Sequence, residues 1–211
     1  MSRADATLII LAGGASKRMG RPKHLLPVAG GTLIEAVYGS LCRGFRETVV
    51  VGGVGPLPGG ARRVPDGRGP RSPLLGIYSG LVSCHTELAY VVACDMPLVR
   101  RELVERVLAA AGGVDVAVPM ARGHHEPLCA AYRRTALPLM RRALSREELK
   151  ITALYERLDI RRVPEPVVRA ADPKLQSFVN LNTPQDIAQL CGAGGSCAGR
   201  GGSWGGSPWA R

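Results

Sequence analysis

The segment Leu88–Cys94, LAYVVAC, carries no charge and no amide side chain before the chain reaches Asp95. A strand of alternating polarity can turn one face to water, but a strand that is apolar on both faces must be covered on both. Thr7–Ala12 and Thr48–Val51 are of the same kind, β-branched and aliphatic, and they end in Gly13-Gly14 and Gly52-Gly53. Helical spacing lies between such runs. Leu33, Val37 and Leu41 stand four apart within Leu33–Cys42, which suits one helix face. Leu74–Cys84 follows the dipeptide Ser72-Pro73, and Arg100–Ala111 is halted by Gly112-Gly113. Buried strands alternating with helices predict an α/β fold, a Rossmann-like three-layer sandwich around a mostly parallel central sheet.

The remaining elements read in order. Ala61–Pro65 is a short strand ending at Asp66. Asp115–Pro119 and Pro127–Tyr132 are strands, and Thr135–Leu144 and Glu147–Leu158 are helices. Asp159–Val163 and Phe178–Leu181 are short late strands, and a last helix opens with Thr183 as N-cap and Pro184 in its first turn. From residue 191 the chain is dominated by Gly and Ser and has no acidic residue. Such a stretch cannot bury enough apolar surface to offset its ordering entropy. Residues 1–190 are therefore read as one folded domain and 191–211 as a flexible tail, which holds both tryptophans, Trp204 and Trp209.

The net charge is +11, from 28 Lys+Arg against 17 Asp+Glu, and favours anionic partners. Aromatic content is 4%. That leaves the core aliphatic and gives no stacking platform for nucleic acid. No run approaches the ~20 apolar residues of a membrane span, and no signal-peptide pattern opens the chain. None of the six cysteines forms a C-x-x-C pair, which points to reduced core thiols rather than zinc ligands. The expectation is a cytoplasmic protein with neither nucleic-acid nor membrane partners.

In a parallel sheet, ligands bind beyond the carboxyl ends of the strands. That rule gathers the Gly13 loop, Gly52, Asp66 and Asp95 on one rim. LAGGASKRMGRPK, Leu11–Lys23, packs three glycines and four basic residues into this loop. Its glycine spacing is neither G-x-G-x-x-G nor a Walker A loop. The physics is shared nonetheless: glycines let backbone amides approach an anion closely, and Arg18 and Lys23 add charge. On spacing alone, a solvated basic loop fits as well. A carboxylate at the end of a buried strand, such as Asp95, is costly unless paired or bound to a cation. Mg2+ is usually held by one or two carboxylates plus substrate phosphates, although a turn aspartate would read the same way. Asp66-Gly67 is a strong turn dipeptide by itself. His124-His125-Glu126 suggests a metal cluster, but adjacent strand residues point to opposite faces, so a substrate contact is the better reading.

Taken together, these segments resemble a specific family. LAGGASKRMGRPK resembles the L-A-[AG]-G-x-S-x-R-M-G-x-x-K signature of small nucleotidyltransferases, and ACDMP their metal-binding strand end. SPLLG at Ser72–Gly76 resembles the G-P-L-x-G segment that cradles guanine, with Ser72 in place of the first glycine. FVNLNTPQDI at Phe178–Ile187 resembles the late V-N-[LIV]-N-[TS]-P-x-[ED] motif, and HEPLCAAYRR the substrate-side strand. The family is the molybdenum cofactor guanylyltransferases, often called MobA, and the resemblance spans about residues 7–190.

The resemblance implies a fold of the nucleotide-diphospho-sugar transferase type. It also implies transfer of GMP from GTP to the terminal phosphate of molybdenum-molybdopterin, with release of pyrophosphate. The same fold also serves molybdopterin cytidylyltransferases and other small-molecule nucleotidyltransferases, which is the alternative. On the family's pattern, Lys23, Arg18 and Asp95 are catalytic, and Asp95 holds Mg2+. Leu11, Ala12, Gly13, Gly14, Gly52, Asp66, Leu74 and Gly76 join Lys23 and Asp95 around the nucleotide. Leu11 is expected to pack on base or ribose and Asp66 to accept from the nucleoside. His125, Asn180 and Asn182 fall on the pterin side, the two asparagines sharing one face if their segment is a strand. Implied partners are GTP, molybdenum-molybdopterin, and molybdoenzyme chaperones or upstream cofactor-synthesis proteins.

Overall fold

The computed structural model describes residues 4–13, 22–28, 31–182 and 186. Within these, the elements follow as β1 (Ala4–Leu11), β2 (Pro27–Val28), β3 (Gly31–Thr32), α1 (Leu33–Leu41), β4 (Phe45–Val51), β5 (Ala61–Val64), α2 (Pro73–Ser83), β6 (Leu88–Ala93), α3 (Arg101–Ala110), β7 (Val116–Ala121), β8 (His124–His125), β9 (Cys129–Arg133), α4 (Leu137–Ser145), β10 (Ile160–Val163) and α5 (Glu165–Ala171). The main sheet has the order β10-β7-β9-β6-β1-β4-β5, with β8 paired to β7. Only β9 runs against its neighbours along that path. The α/β sandwich with a mostly parallel sheet is therefore as expected.

The apolar strands account for the layering. Along β1, Leu8 and Ile10 pack on one side with α1, α3 and α5, through Ile34, Val37, Val104, Val107 and Val168. Ile9 and Leu11 pack on the other with α2 and α4, through Leu74, Ile77, Leu81 and Met140. At Gly80 an added Cβ would stand 2.8 Å from Ile9, so the missing side chain lets α2 lie close on the sheet. Helix α1 starts in a capping box, Thr32 accepting from the Glu35 amide and Glu35 from the Thr32 amide, an arrangement worth about 1 kcal/mol. Helix α2 starts at Ser72, whose hydroxyl accepts from Leu75 N, with Pro73 in the first turn. Both sheet edges carry adjacent exposed arginines, Arg62-Arg63 on β5 and Arg161-Arg162 on β10, which discourage pairing with another chain.

Two sequence expectations are corrected. Glu147–Leu158 is not an α-helix. Glu147 takes φ 56°, a left-handed conformation that ends a helix, and only a 3-10 segment, Ile151–Glu156, follows. Phe178–Leu181 is not a strand. Leu175 takes φ 51° before a 3-10 turn at Gln176–Phe178, and Phe178 and Leu181 are buried while Val179 and Asn180 are exposed. The burial period is three, not two, so strand alternation does not place Asn180 and Asn182 on one face. The β2–β3 hairpin, β8 and α5 have too few residues to leave a periodic signal. The last helix, Gly14, Arg18 and the tail lie outside the described residues. Among the described residues, no helix is long and apolar enough to cross a membrane.

Candidate active site

The register across the sheet builds the rim. Leu11 pairs with Val51 of β4 and with Ala93 of β6, and Val51 pairs with Val64 of β5. These four residues form one row, so the residues after them emerge at one level: Ala12-Gly13, Gly52, Pro65-Asp66 and Cys94-Asp95. Three strand spacings of about 4.8 Å make this row about 14 Å long. The chain leaves β1 to one side through α1 and β4 and returns to the other side at β6, so the row straddles the point where strand order reverses.

On the β5 side, Asp66 turns its carboxylate toward the glycines. A Cβ on Gly52 would meet Asp66 Oδ2 at 2.8 Å, and one on Gly13 would meet it at 3.1 Å. Gly52 also holds φ +70°, so a side chain there is excluded by both space and conformation. Gly67 N donates to Ser79 Oγ at 3.0 Å, which ties the turn after Asp66 to α2. Leu74 is fully buried, and Leu11 is 8% exposed. Leu11 Cδ2 lies 3.2 Å from where a Cβ of Gly76 would stand. The side chains of Leu11 and Leu74 thus lie in the core beneath the rim.

On the β6 side, Asp95 Oδ2 accepts from Lys23 Nζ at 2.5 Å. Lys23 Nζ also donates to Asn182 Oδ1 at 2.6 Å. The tertiary fold therefore joins Lys23, Asp95 and Asn182, from three separate segments. Leu181 N donates to Asp95 O at 2.9 Å, and Leu181 packs in a small separate core with Leu26, Val28 and Leu33. Asn180 is exposed beside them. Asp95 Oδ1 is buried with no hydrogen-bond partner among the described residues. Such an oxygen suits a hard divalent cation, which takes one carboxylate from the protein and completes its shell with phosphates and water. No group of three His, Cys, Asp or Glu side chains fit to hold a metal occurs among the described residues. Burial pushes the neighbouring Cys94 thiol up to about 12, the Asp95 charge adding to this and Lys23 opposing it, so Cys94 is an inert core residue.

Beyond β6, the β7–β8 hairpin carries His125. Its Nε2 accepts from Arg162 Nε at 3.1 Å, and its ring stands edge-on to Tyr155 at 5.1 Å. Burial, then the Arg162 charge, lowers the His125 pKa, so the neutral ring can serve as acceptor. Glu126 is half-buried, and burial raises its carboxyl pKa against the pull of Arg122 and His124. Sequence reasoning singled out His125 but not Arg162, which lies 37 residues away. It also missed His24, 2% exposed, whose only signal was its place beside Lys23.

Residues 8–163 match the family described as MobA-like NTP transferase domain. The chain belongs to that family. A probable molybdenum cofactor guanylyltransferase from Pelotomaculum thermopropionicum is 37% identical over 187 residues, covering 88% of this chain and 91% of that one. A molybdenum cofactor guanylyltransferase from Desulfosudis oleivorans is 35% identical, with coverage of 86% and 92%. Among solved structures, molybdopterin-guanine dinucleotide biosynthesis protein A from Archaeoglobus fulgidus aligns with TM-score 0.74 and 28% identity, over 89% of this chain and 99% of that one. A 2-C-methyl-D-erythritol 4-phosphate cytidylyltransferase from Thermus thermophilus has TM-score 0.66 and 22% identity over 89% and 98%, a likeness of fold alone. The matched residues end with β10, so Asn182 contributes to the rim from beyond them.

Proposed function

We propose that this protein transfers GMP from GTP to the terminal phosphate of molybdenum-molybdopterin. An acceptor phosphate oxygen bonds to the α-phosphorus, the bond between the α-phosphorus and the bridging oxygen breaks, and pyrophosphate leaves with the electron pair. The observation that carries this reading is the Lys23–Asp95 contact at the switch point, one strand away from Gly13 and two from Gly52, the glycines that face Asp66. The resemblance to relatives named molybdenum cofactor guanylyltransferase supports the choice of guanine and of the acceptor.

The acceptor phosphate is already ionised, so the reaction needs placement and charge neutralisation more than a base. Asp95 would hold Mg2+ through its buried oxygen, and the ion when bound supplies charge neutralisation for the phosphates. Lys23, beside the other oxygen of Asp95, would offer its ammonium to the α-phosphoryl oxygens. Backbone amides around Gly13 and Gly14 would bind phosphates, with Arg18 nearby. Asp66 would accept from the nucleoside. Leu11, Leu74 and Gly76 would form the packed floor that supports the base. Asn182 and Asn180 would line the acceptor side, with His125 acting through Arg162.

The test is transfer from each of the four α-labelled nucleoside triphosphates to molybdopterin with Mg2+, with Asp95→Ala as control. Label moving onto the pterin from GTP, and not in the control, is the expected result. Transfer from CTP would instead assign the cytidylyl activity, and retention of transfer in Asp95→Ala would remove the metal assignment.

A further inference from the structure

We infer that His24 is a positioning residue that ties the turn carrying Lys23 to the turn closing β4, and thereby sets where the Lys23 ammonium stands. Lys23, His24 and Leu25 form one 3-10 turn, closed by Leu25 N to Pro22 O and Leu26 N to Lys23 O. Adjacent residues on such a tight turn point in different directions. Lys23 reaches Asp95, and His24 reaches the other way, into the Gly53–Val54 turn. Its Nε2 lies 2.8 Å from Val54 O and 3.2 Å from Val54 N. A protonated Nε2 donates to the carbonyl and an unprotonated one accepts from the amide. Either tautomer bonds to Val54.

A second observation comes from the partner turn. Gly53 holds φ +70°, and a Cβ there would stand 3.0 Å from His24 Cε1 and Nε2 and 3.0 Å from Ala12 Cβ. The turn is shaped around the ring. The Val54 side chain is 59% exposed, so it does not anchor the turn by its own packing. Arg63 Nη2, donating to Gly55 O at 2.7 Å, holds only the far side of the turn. On its other flank the Lys23 turn continues into Leu26, which packs with Leu181. Among the described residues, the Lys23 turn is thus flanked by His24 toward the nucleotide half of the rim and by Leu26–Leu181 toward the acceptor half. Leu25 approaches Gly55, and the ammonium itself rests on Asp95 and Asn182. Losing the His24 contact would let the ammonium drift from Asp95 with the core intact.

The test needs no substrate. The full chain is labelled with acetic anhydride, and the rate at Lys23 is read by mass spectrometry against Lys150 and Lys174 in the same molecule. Asp95→Asn calibrates a released Lys23. His24→Phe, which keeps a ring but no nitrogen, is expected to raise Lys23 labelling on the order of fivefold, the scale of an ion pair of this exposure. His24→Gln, which keeps a group able to bond Val54, is expected to stay near the parent rate. Gly53→Ala attacks the same contact from the partner turn and decides the matter if His24→Phe does not fold. Unchanged Lys23 labelling in the folded variant would overturn the inference. The effect on turnover rests on the proposed transfer; the labelling does not, so failure of one is distinguishable from failure of the other.

Discussion

Lys23 and Asp95 stand 72 residues apart in the chain and 2.5 Å apart in space, ammonium to carboxylate. Their side chains are 23% and 19% exposed, so the pair is screened less than a surface contact but remains open to ligand. The ammonium offsets the charge on one Asp95 oxygen, and the other is left buried without a hydrogen bond among the described residues.

That geometry predicts different kinetic signatures for the two residues. Lys23→Ala is expected to lower kcat about a hundredfold to a thousandfold, the usual cost of removing one group that stabilises transition-state charge, with little change in KM for GTP. Asp95→Ala is expected to abolish the response to Mg2+ as well as the rate. Steady-state kinetics over a metal titration checks both.

Glu47 predicts acid sensitivity of the fold. Burial alone would raise its pKa, but hydrogen bonds from the His85 amide, Thr7, the His85 ring and Arg62 outweigh burial and bring it from 4.5 to about 2. Between those values the unfolded chain binds the more protons. The contribution is therefore fully present above pH 4.5 and is lost as pH falls toward 2. Urea unfolding from pH 6 down to about 2.5, compared with Glu47→Gln, is expected to show the loss in the parent and a flatter curve in the variant.

Ser72 replaces the glycine of the related G-P-L-x-G segment, and the structure supplies the reason it fits. As N-cap of α2, its hydroxyl accepts from Leu75 N at 3.2 Å, and serine and glycine are both favoured at that position. Ser72→Ala is expected to cost about 1 kcal/mol and Ser72→Gly only a few tenths, measured by denaturant unfolding. Base choice in the transfer assay is expected to be unchanged by Ser72→Gly.

His125 and Arg162 predict a defect on the acceptor side. Arg162 is aimed by its Nε bond to the neutral His125 ring, which leaves its terminal nitrogens as a fork suited to an anion. Arg162→Ala is expected to raise KM for the acceptor about tenfold, the lower end for a lost charged hydrogen bond, with KM for GTP unchanged. His125→Ala is expected to give a smaller shift of the same kind. Equal shifts for both substrates would show that the pair does not discriminate between them.

Several features were legible in the chain before folding is considered. Runs without polar residues at Leu88–Cys94 and Thr7–Ala12 required cover on both faces, and that requirement carries the layered parallel sheet. Gly13, Gly52, Asp66 and Asp95 could be assigned to one rim because each follows a strand end, a relation local to its own segment. What only the tertiary structure decided is non-local. Strand order brings β1 between β4 and β6, and only then do Lys23, Asp95 and Asn182 meet across long stretches of chain. His24 carries no periodic signal, because its partner is a backbone turn set by a different strand. FVNL at Phe178–Leu181 looked like a strand because β-branched and apolar residues favour extended backbone, but it follows a left-handed Leu175 and a 3-10 turn. Leu181 is instead held by a bond to the Asp95 carbonyl and by a small core with Leu26. Local sequence sets what each segment can bury, whereas the partner it finds depends on which other segments reach the same edge of the sheet.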